Sequence, residues 1–460
     1  MEKLTARLVK LVAGKRSRRL SATRIVAAAF LGIILLGATL LTLPVSSRDG
    51  ISCGFFSALF TATSATCVTG LVLFDTFTQW SGFGQGVIIC LIQIGGLGFM
   101  SVATLVIFMM RRKLGLKQRL VMAQALSVND MGDVVRLQKW VLVGSLTVEA
   151  LGALILTVHF LPEFGWATAL KWAVFHSISA FCNAGFDIFG SLSPGGSLAP
   201  FQSDPVVLLT LSALIVTGGL GFLVWQELAQ VFLGRKLSVY AKLVLLMTGA
   251  LLLLGTVGVA LAEWDNQATL GGMSTGDKLL NSLFQSATAR TAGFAALDQA
   301  CLTDTGKAVT MVLMIIGGSS GSTAGGIKTV TMLVLLLFFW SRARGRRNVC
   351  VFRRTIPPQQ VMDAMTIAGM MVGLAVFGGI FISATSPVGF TDGLFESISA
   401  LATVGLTAGA TTKLSVAAQM LMIVYMYFGR VGILTISLGF LMGDKVQERY
   451  EYARTDLLIG

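Results

Sequence analysis

Thr403-Val404-Gly405-Leu406 is echoed three times earlier in the chain, by Val68-Thr69-Gly70-Leu71, Asn183-Ala184-Gly185-Phe186 and Thr291-Ala292-Gly293-Phe294. Each strip follows a run with one plan: an aromatic, a small residue two places on, Ser or Thr four places on, then Ala. The runs begin at Phe60, Phe175, Phe284 and Phe395 and end at Ala65, Ala180, Ala289 and Ala400. Gly follows that Ala by five residues in three copies and by four in the third. The four glycines recur every ~110 residues, the signature of a fourfold internal repeat.

A Thr/Val-Gly-apolar strip after a short helix, between apolar spans, is similar to the TVGYG loop of potassium channels. Four such loops aim backbone carbonyls at one axis and replace the ion's water shell. Glycine is required because consecutive carbonyls share a direction only where a residue reaches positive φ cheaply. One Thr-Val-Gly is weak evidence, whereas four in register predict an ion-selecting filter. Its residues are Val68, Thr69 and Gly70; Asn183, Ala184 and Gly185; Thr291, Ala292 and Gly293; and Thr403, Val404 and Gly405, with a bare potassium ion as the metal at their carbonyls.

Composition sets the class. Of 460 residues, 54% are hydrophobic and 12% charged, against roughly 25% charged in soluble domains. Apolar runs of about 20 residues recur throughout, as bilayer spans require. The net charge of +13 does not point to nucleic acid, because the bases are concentrated in alternate connections. The tail to Arg24 carries eight Lys/Arg, Arg111–Lys139 seven, Arg235–Lys242 three, Arg342–Arg354 six and the tail after Asp444 three. The positive-inside rule puts these segments and both termini in the cytoplasm. The other set of connections carries Asp49, Asp75, Glu163, Asp187, Asp204, Glu263, Asp265, Asp277, Asp298, Asp304, Asp392 and Glu396, read as a negative vestibule that concentrates cations.

The expected fold is an all-α membrane protein of four tandem helix–pore-loop–helix repeats arranged pseudo-fourfold around a central pore. The segments are a basic tail (1–24), repeat 1 (25–135), repeat 2 (136–240), repeat 3 (241–355), repeat 4 (356–443) and a C-terminal tail (444–460). The paired spans are 25–43 with 87–110, 140–161 with 206–233, 243–261 with 308–340, and 367–384 with 416–442. Pore helices are expected from near Cys53, Thr168, Asp277 and Asp392.

Inside the third repeat's second span stands Gly317-Gly318-Ser319-Ser320-Gly321-Ser322-Thr323-Ala324-Gly325-Gly326-Ile327-Lys328. So much Gly and Ser cannot hold a lipid-facing helix, and irregular backbone at that depth must be buried in protein or line water. This stretch reads as a flexible gate loop crossing the ion path below the filter. A phosphate-binding loop is excluded because Ile327 separates Gly326 from Lys328. Arg430, mid-span, reads as a positive barrier in the ion path or the partner of an acid. Glu149 reads as packed against a base or protonated, and Arg290 as a local brace for the third loop. The six cysteines lack metal spacing, and the two histidines are too few for a metal site.

Four strips, an intramembrane Gly/Ser loop and an Arg in the last span together resemble the Trk/Ktr/HKT superfamily of potassium transporters, most closely its Ktr-type membrane subunits, over nearly the whole chain. The resemblance implies potassium uptake across a bacterial inner membrane, stimulated by sodium. It implies a homodimer seated on a cytoplasmic KtrA-like ring of RCK type, with nucleotide bound only by that ring. It assigns Gly70, Gly185, Gly293 and Gly405 to the filter and 317–328 with Arg430 to the gate. Membrane lipid is the remaining partner; no nucleic acid and no enzymatic activity are expected. The second strip, Asn-Ala-Gly-Phe, departs from the hydroxyl-bearing pattern.

Two other classes compete with this reading. A cation symporter with stoichiometric K+/H+ or K+/Na+ coupling predicts inverted repeats with discontinuous helices in corresponding halves, whereas all four repeats here share one orientation. An ATP-driven pump needs a soluble nucleotide-binding domain, and no connection is long enough to hold one.

Overall fold

Apolar runs that open on Ser, Thr or Asp start helices here, because those side chains cap amides the first turn leaves bare. Ser81 accepts from the Gly84 amide, Asp204 from Val206 and Val207, Thr303 from Gly306 and Ser415 from Ala418. These four caps begin the second helix of each repeat. The computed structural model describes residues 22–98, 134–231, 234–346 and 348–432. Both tails and most of the 111–139 basic segment lie outside them.

Thirteen α-helices longer than a single turn carry the described fold, with a one-turn helix at Thr76–Gln79. The first repeat has α1 (Ala22–Thr42), the short α2 (Phe55–Cys67) and α3 (Gly82–Leu97). In the second, α4 (Val134–Phe181) is bent at Gly165 (φ 71°) into a span and a short helix, followed by α5 (Pro205–Leu220) and α6 (Phe222–Val231). The third has α7 (Val239–Glu263), the short α8 (Thr275–Thr288), α9 (Asp304–Ile315) and α10 (Thr329–Ala343). The fourth has α11 (Pro358–Thr385), the short α12 (Phe390–Leu401) and α13 (Val416–Val431). Cys350–Val351 and Arg354–Thr355 pair as a two-residue antiparallel ribbon between α10 and α11. The short helices start within a few residues of the expected positions.

The second spans of repeats 2 and 3 are not continuous, which for repeat 2 corrects the sequence reading, and in repeats 1 and 4 the remainder of 87–110 and 416–442 lies outside the described residues. The third breaks at 316–328, as expected. In addition, α3 ends at Gly98 (φ 81°), α13 at Gly432 (φ 97°), and α5 meets α6 at Gly221 (φ 89°) with a bend of 99°. A positive φ ends an α-helix, and glycine alone takes it without strain. The signal was present in Gly95-Gly96-Leu97-Gly98-Phe99 and Gly218-Gly219-Leu220-Gly221-Phe222, whose Leu and Phe masked the glycines within a long apolar run. Discontinuous second helices are a feature shared with the symporter class.

Each second helix packs on the next repeat: α3 on α4, α5 on α8, α9 on α12, and α13 back on α2. Within a repeat, the first helix grips its short helix where a glycine lets them approach. An added Cβ at Gly152 would meet the Ser177 hydroxyl at 2.7 Å, and one at Gly255 or Gly378 would collide with that of Ser286 or Ser397. These serines, the small residues of the repeated run, donate to the first helix at Glu149 O (2.6 Å), Leu252 O (3.0 Å) and Ala375 O (2.9 Å). Ala62 takes the place in the first repeat. Away from this interior, Leu246, Leu253, Leu254 and Leu261 of α7 stand exposed, as a lipid-facing stripe does. Three described helices are long and apolar enough to cross a bilayer, four if the bent pair counts as one.

Gly378→Ala is expected to cost about 1–3 kcal/mol by overpacking against Ser397 and Tyr425. Gly373→Ala, on the same helix with nothing within 4 Å of the new methyl, should leave the thermal midpoint of the detergent-solubilised protein unchanged or higher. Equal midpoints for the two variants would refute this packing.

Candidate functional site

The end of each short helix turns the chain so that the strip's amides bond back to the helix end. Val68, Asn183, Thr291 and Thr403 are left-handed (φ 58°, 59°, 74° and 52°), as are the glycines two places on, Gly70, Gly185, Gly293 and Gly405 (φ 95°, 70°, 81° and 97°). Thr69, Ala184 and Val404 amides donate to Ser64, Ser179 and Ser399 carbonyls at 2.8 Å, and Ala292 to Thr288 at 2.9 Å. The Ser/Thr of the repeated run closes the turn. The Gly70 and Gly405 amides donate to the Ser64 and Ser399 hydroxyls at 3.0 Å, while Ser179 and Thr288 donate to Phe186 and Phe294 carbonyls at 2.7 Å.

The four strips meet. A Cβ at Gly70 would come within 2.5 Å of the Ala184 carbonyl oxygen, one at Gly185 within 2.7 Å of Ala292 O, and one at Gly293 within 2.5 Å of Val404 O. At Gly405 it would strike Thr69 O. Each glycine thus faces the carbonyl of the next strip, and the fourth closes on the first. Only glycine fits at such a meeting. Among the described residues, no carbonyl from 68–70, 183–185, 291–293 or 403–405 accepts a hydrogen bond. Buried carbonyls without partners are rare and need a reason. The Thr69, Thr291 and Thr403 hydroxyls are also buried and unpartnered. Asn183 differs, since its side-chain nitrogen satisfies Ala180 O (3.0 Å) and Ile215 O (3.3 Å), so its amide braces the strip.

Residues 316–328 run irregularly beside the inner ends of the strips. Ile316 and Ile327 pair in parallel, with Gly317 N donating to Ile327 O at 3.0 Å and Thr329 N to Gly318 O at 3.0 Å. The loop fills the broken end of α5: Ser319 N donates to Gly219 O (3.0 Å) and Thr323 N to Gly218 O (3.3 Å). Its Thr323 hydroxyl reaches Phe181 O, Tyr240 reaches Ser320 O, and Lys328 turns back to Ala324 O at 2.7 Å. Gly325 lies so close to Ala402 O and the Thr403 hydroxyl that no side chain fits. This is a bonded irregular segment, not a patch of helix packing.

Arg430 is corrected in its partners. Among the described residues it pairs with no acid but donates to Thr323 O in the loop and to Gly95 O and Gly96 O at the end of α3. A guanidinium suits carbonyls freed at a helix C-terminus. Glu149 accepts two bonds from Gln93 at 3.0 Å, an amide where a base was one of the expected partners. Arg290 is buried with its Nε unpartnered, so the brace expected of it is absent among the described contacts.

The acids outside are mostly committed to structure, which narrows the vestibule reading. Asp75, Asp204 and Asp298 cap helices, Asp392 pairs with Lys307 at 2.7 Å, and Glu263 and Glu396 are fully buried. No group of three His, Cys, Asp or Glu that could hold a metal occurs among the described residues. His159 pairs with Asp204 at 2.6 Å, and His176 stacks on Phe189 with centroids 3.8 Å apart.

A multi-pass helical membrane transporter, not an enzyme, is the class this fold defines. The chain belongs to the TrkH family of cation transport proteins, which it matches over residues 13–449. It is 38% identical to the potassium/sodium uptake protein NtpJ of Enterococcus hirae, over 96% of this chain and 98% of that one. The Ktr system potassium uptake proteins B of Bacillus subtilis (38%; 94% and 96% covered) and Vibrio alginolyticus (40%; 90% and 90%) are similarly related. These likenesses make it a Ktr-type membrane subunit. Its fold matches the crystal structure of the potassium transporter TrkH from Vibrio parahaemolyticus with a TM-score of 0.69, at 18% identity, over 93% of this chain and 86% of that one.

Burial pushes the Asp187 carboxyl up to about 6, with the Asp75 carboxylate adding repulsion and the Phe189 amide and Ser197 hydroxyl opposing it. A carboxyl raised in the fold favours folding below its ordinary range and loses that contribution as pH rises through the folded value. Asp187→Asn should therefore raise the thermal midpoint above about pH 7 and leave it unchanged below about pH 4; a pH-independent change would refute the assignment.

Proposed function

We propose that this chain takes up potassium across the bacterial inner membrane. Its four repeats stand pseudo-fourfold around one pore, and the strips of Gly70, Gly185, Gly293 and Gly405 form the selectivity filter. The observation that carries this is the ring of buried carbonyls with no hydrogen-bond donor. Such groups are costly unless something else satisfies them, and a dehydrated monovalent cation is satisfied by rings of carbonyls. The relatives' names, potassium uptake and potassium/sodium uptake, support the same cation. Sodium acts as an activator in this reading.

The 317–328 loop is the gate, and Arg430 is its latch. By donating to Thr323 O and to the end of α3, Arg430 ties the loop to repeats 1 and 4, in addition to any barrier its charge sets. The chain works as a homodimer, with both termini cytoplasmic and the basic connections docked on a nucleotide-binding RCK-type ring. That ring moves the latch.

Broken second helices favour one other reading, a symporter with stoichiometric coupling. The closure of four like-oriented strips on one another favours the pore.

In bacteria lacking their own potassium uptake, this chain with a ring subunit should restore growth at low potassium. Gly405→Ser, whose Cβ would displace the Thr69 carbonyl, should then weaken discrimination in rubidium uptake competed by sodium by about tenfold, or about 1.4 kcal/mol. No rescue by the wild type would sink the functional reading; unaltered competition in the variant would sink the filter assignment.

Deleting Gly318–Gly325 should raise rubidium uptake and remove its dependence on the ring subunit. Uptake at the wild-type level, still ring-dependent, would show that the loop does not gate.

A further inference from the structure

The repeated run holds one position that the filter reading leaves unused: the residue immediately after the aromatic. It is Thr61, His176, Gln285 or Glu396, different in every copy and buried in all four. No apolar side chain occupies it, although each lies in the interior.

In three repeats this side chain reaches the loop that leaves the strip. His176 holds its Nδ1 proton on Trp172 O (2.7 Å), so Nε2 accepts the Ile188 amide at 3.2 Å, three residues beyond Gly185. Gln285 exchanges two bonds with Gln299, donating at 2.6 Å and accepting at 3.1 Å, six residues beyond Gly293. Glu396 accepts from the Thr407 hydroxyl, the Ala410 amide (3.3 Å) and the Thr411 hydroxyl (2.7 Å), and Thr411 again lies six residues beyond Gly405. In the first repeat the Thr61 hydroxyl turns back to Ser57 O on its own helix at 3.1 Å and reaches no loop.

These are four solutions to one mechanical task. A strip whose carbonyls bond to nothing in the protein is held only by what stands behind it. The Ser/Thr four places after the aromatic fixes its inner half, and the outer half departs into a loop that must be fixed separately. Glu396 takes three bonds from its loop, against two for Gln285 and one for His176, so Glu396 restrains its loop most.

We propose that the residue after the aromatic is the positioning residue for the outer half of the ion site. Glu396 supplies most of that restraint, and the first quadrant, with Thr61, is the compliant one. Glu396 touches no strip carbonyl; it acts through Thr407–Thr411. The proposal rests on the filter reading and deepens it.

The test is rubidium uptake by the full chain with its ring subunit in cells, measuring half-saturation, maximal rate and inhibition by sodium. Glu396→Gln, which replaces one acceptor oxygen facing the loop by a donor, should raise half-saturating rubidium and weaken discrimination against sodium, each about tenfold, the worth of one lost bond. The maximal rate should stay within about twofold, since binding and turnover separate in such a split. Thr411→Val, which removes a donor from the other side, should shift both in the same direction. The double variant should add little to Glu396→Gln, as coupled partners do. Gln267→Ala, at an exposed polar residue, should change neither. If Glu396→Gln does not reach the membrane, Thr411→Val carries the test. The proposal is overturned if both variants match wild type while Gly405→Ser shifts competition, or if Gln267→Ala shifts half-saturation as much as Glu396→Gln. Silence of Gly405→Ser would instead bring down the filter reading.

Discussion

The structure depends on keeping backbone carbonyls buried and free of internal donors. Water would satisfy them at no cost, and any nearby amide or hydroxyl would capture them. The fold must exclude both while holding the oxygens near one another despite their mutual repulsion. It does so by drawing the amides of each strip back into the end of its short helix, through paired left-handed residues such as Thr403 and Gly405. Glycine recurs because the neighbouring strip's carbonyl occupies the place of a side chain. Everything outside the strips serves to hold this arrangement still.

That support is layered. Serines two places after the aromatic fasten three short helices to their preceding spans, at Gly152, Gly255 and Gly378. The Ser/Thr four places on closes the turn into the strip. Capped second helices then pack on the following repeat, so that displacement of one quadrant is resisted by the next. On the inner side, helix ends at Gly98, Gly221 and Gly432 would leave carbonyls bare at a depth where water is scarce. The 316–328 loop and Arg430 take up those of α5 and α3. A segment whose bonds are mainly to broken helix ends can exchange them for water one at a time, which suits an element meant to move.

Much of this was legible in the residues. The strips, short helices and irregular third span have local signatures, because glycine at positive φ and hydroxyls at fixed offsets are local requirements. The helix ends at Gly98 and Gly221 were missed because hydropathy averages over a window, and Gly-Gly-Leu-Gly-Phe scores as apolar. Arg430 reads in the sequence as a positive barrier or the partner of an acid, but it bonds to backbone carbonyls 107 residues away at Thr323 and over 300 away at Gly95 and Gly96, and carbonyls leave no trace in composition. The vestibule reading narrows for a similar reason. A count of acids cannot separate a free carboxylate from one capping a helix, as Asp204 does, or buried as a brace, as Glu396 is.

Locating the bound ions by anomalous scattering from crystals of the full chain grown in thallium or rubidium is the most direct test. Peaks should lie on the axis enclosed by the four strips, level with the carbonyls of Thr69, Ala184, Ala292 and Val404. Strong peaks elsewhere, with none between those carbonyls, would contradict the account at its base.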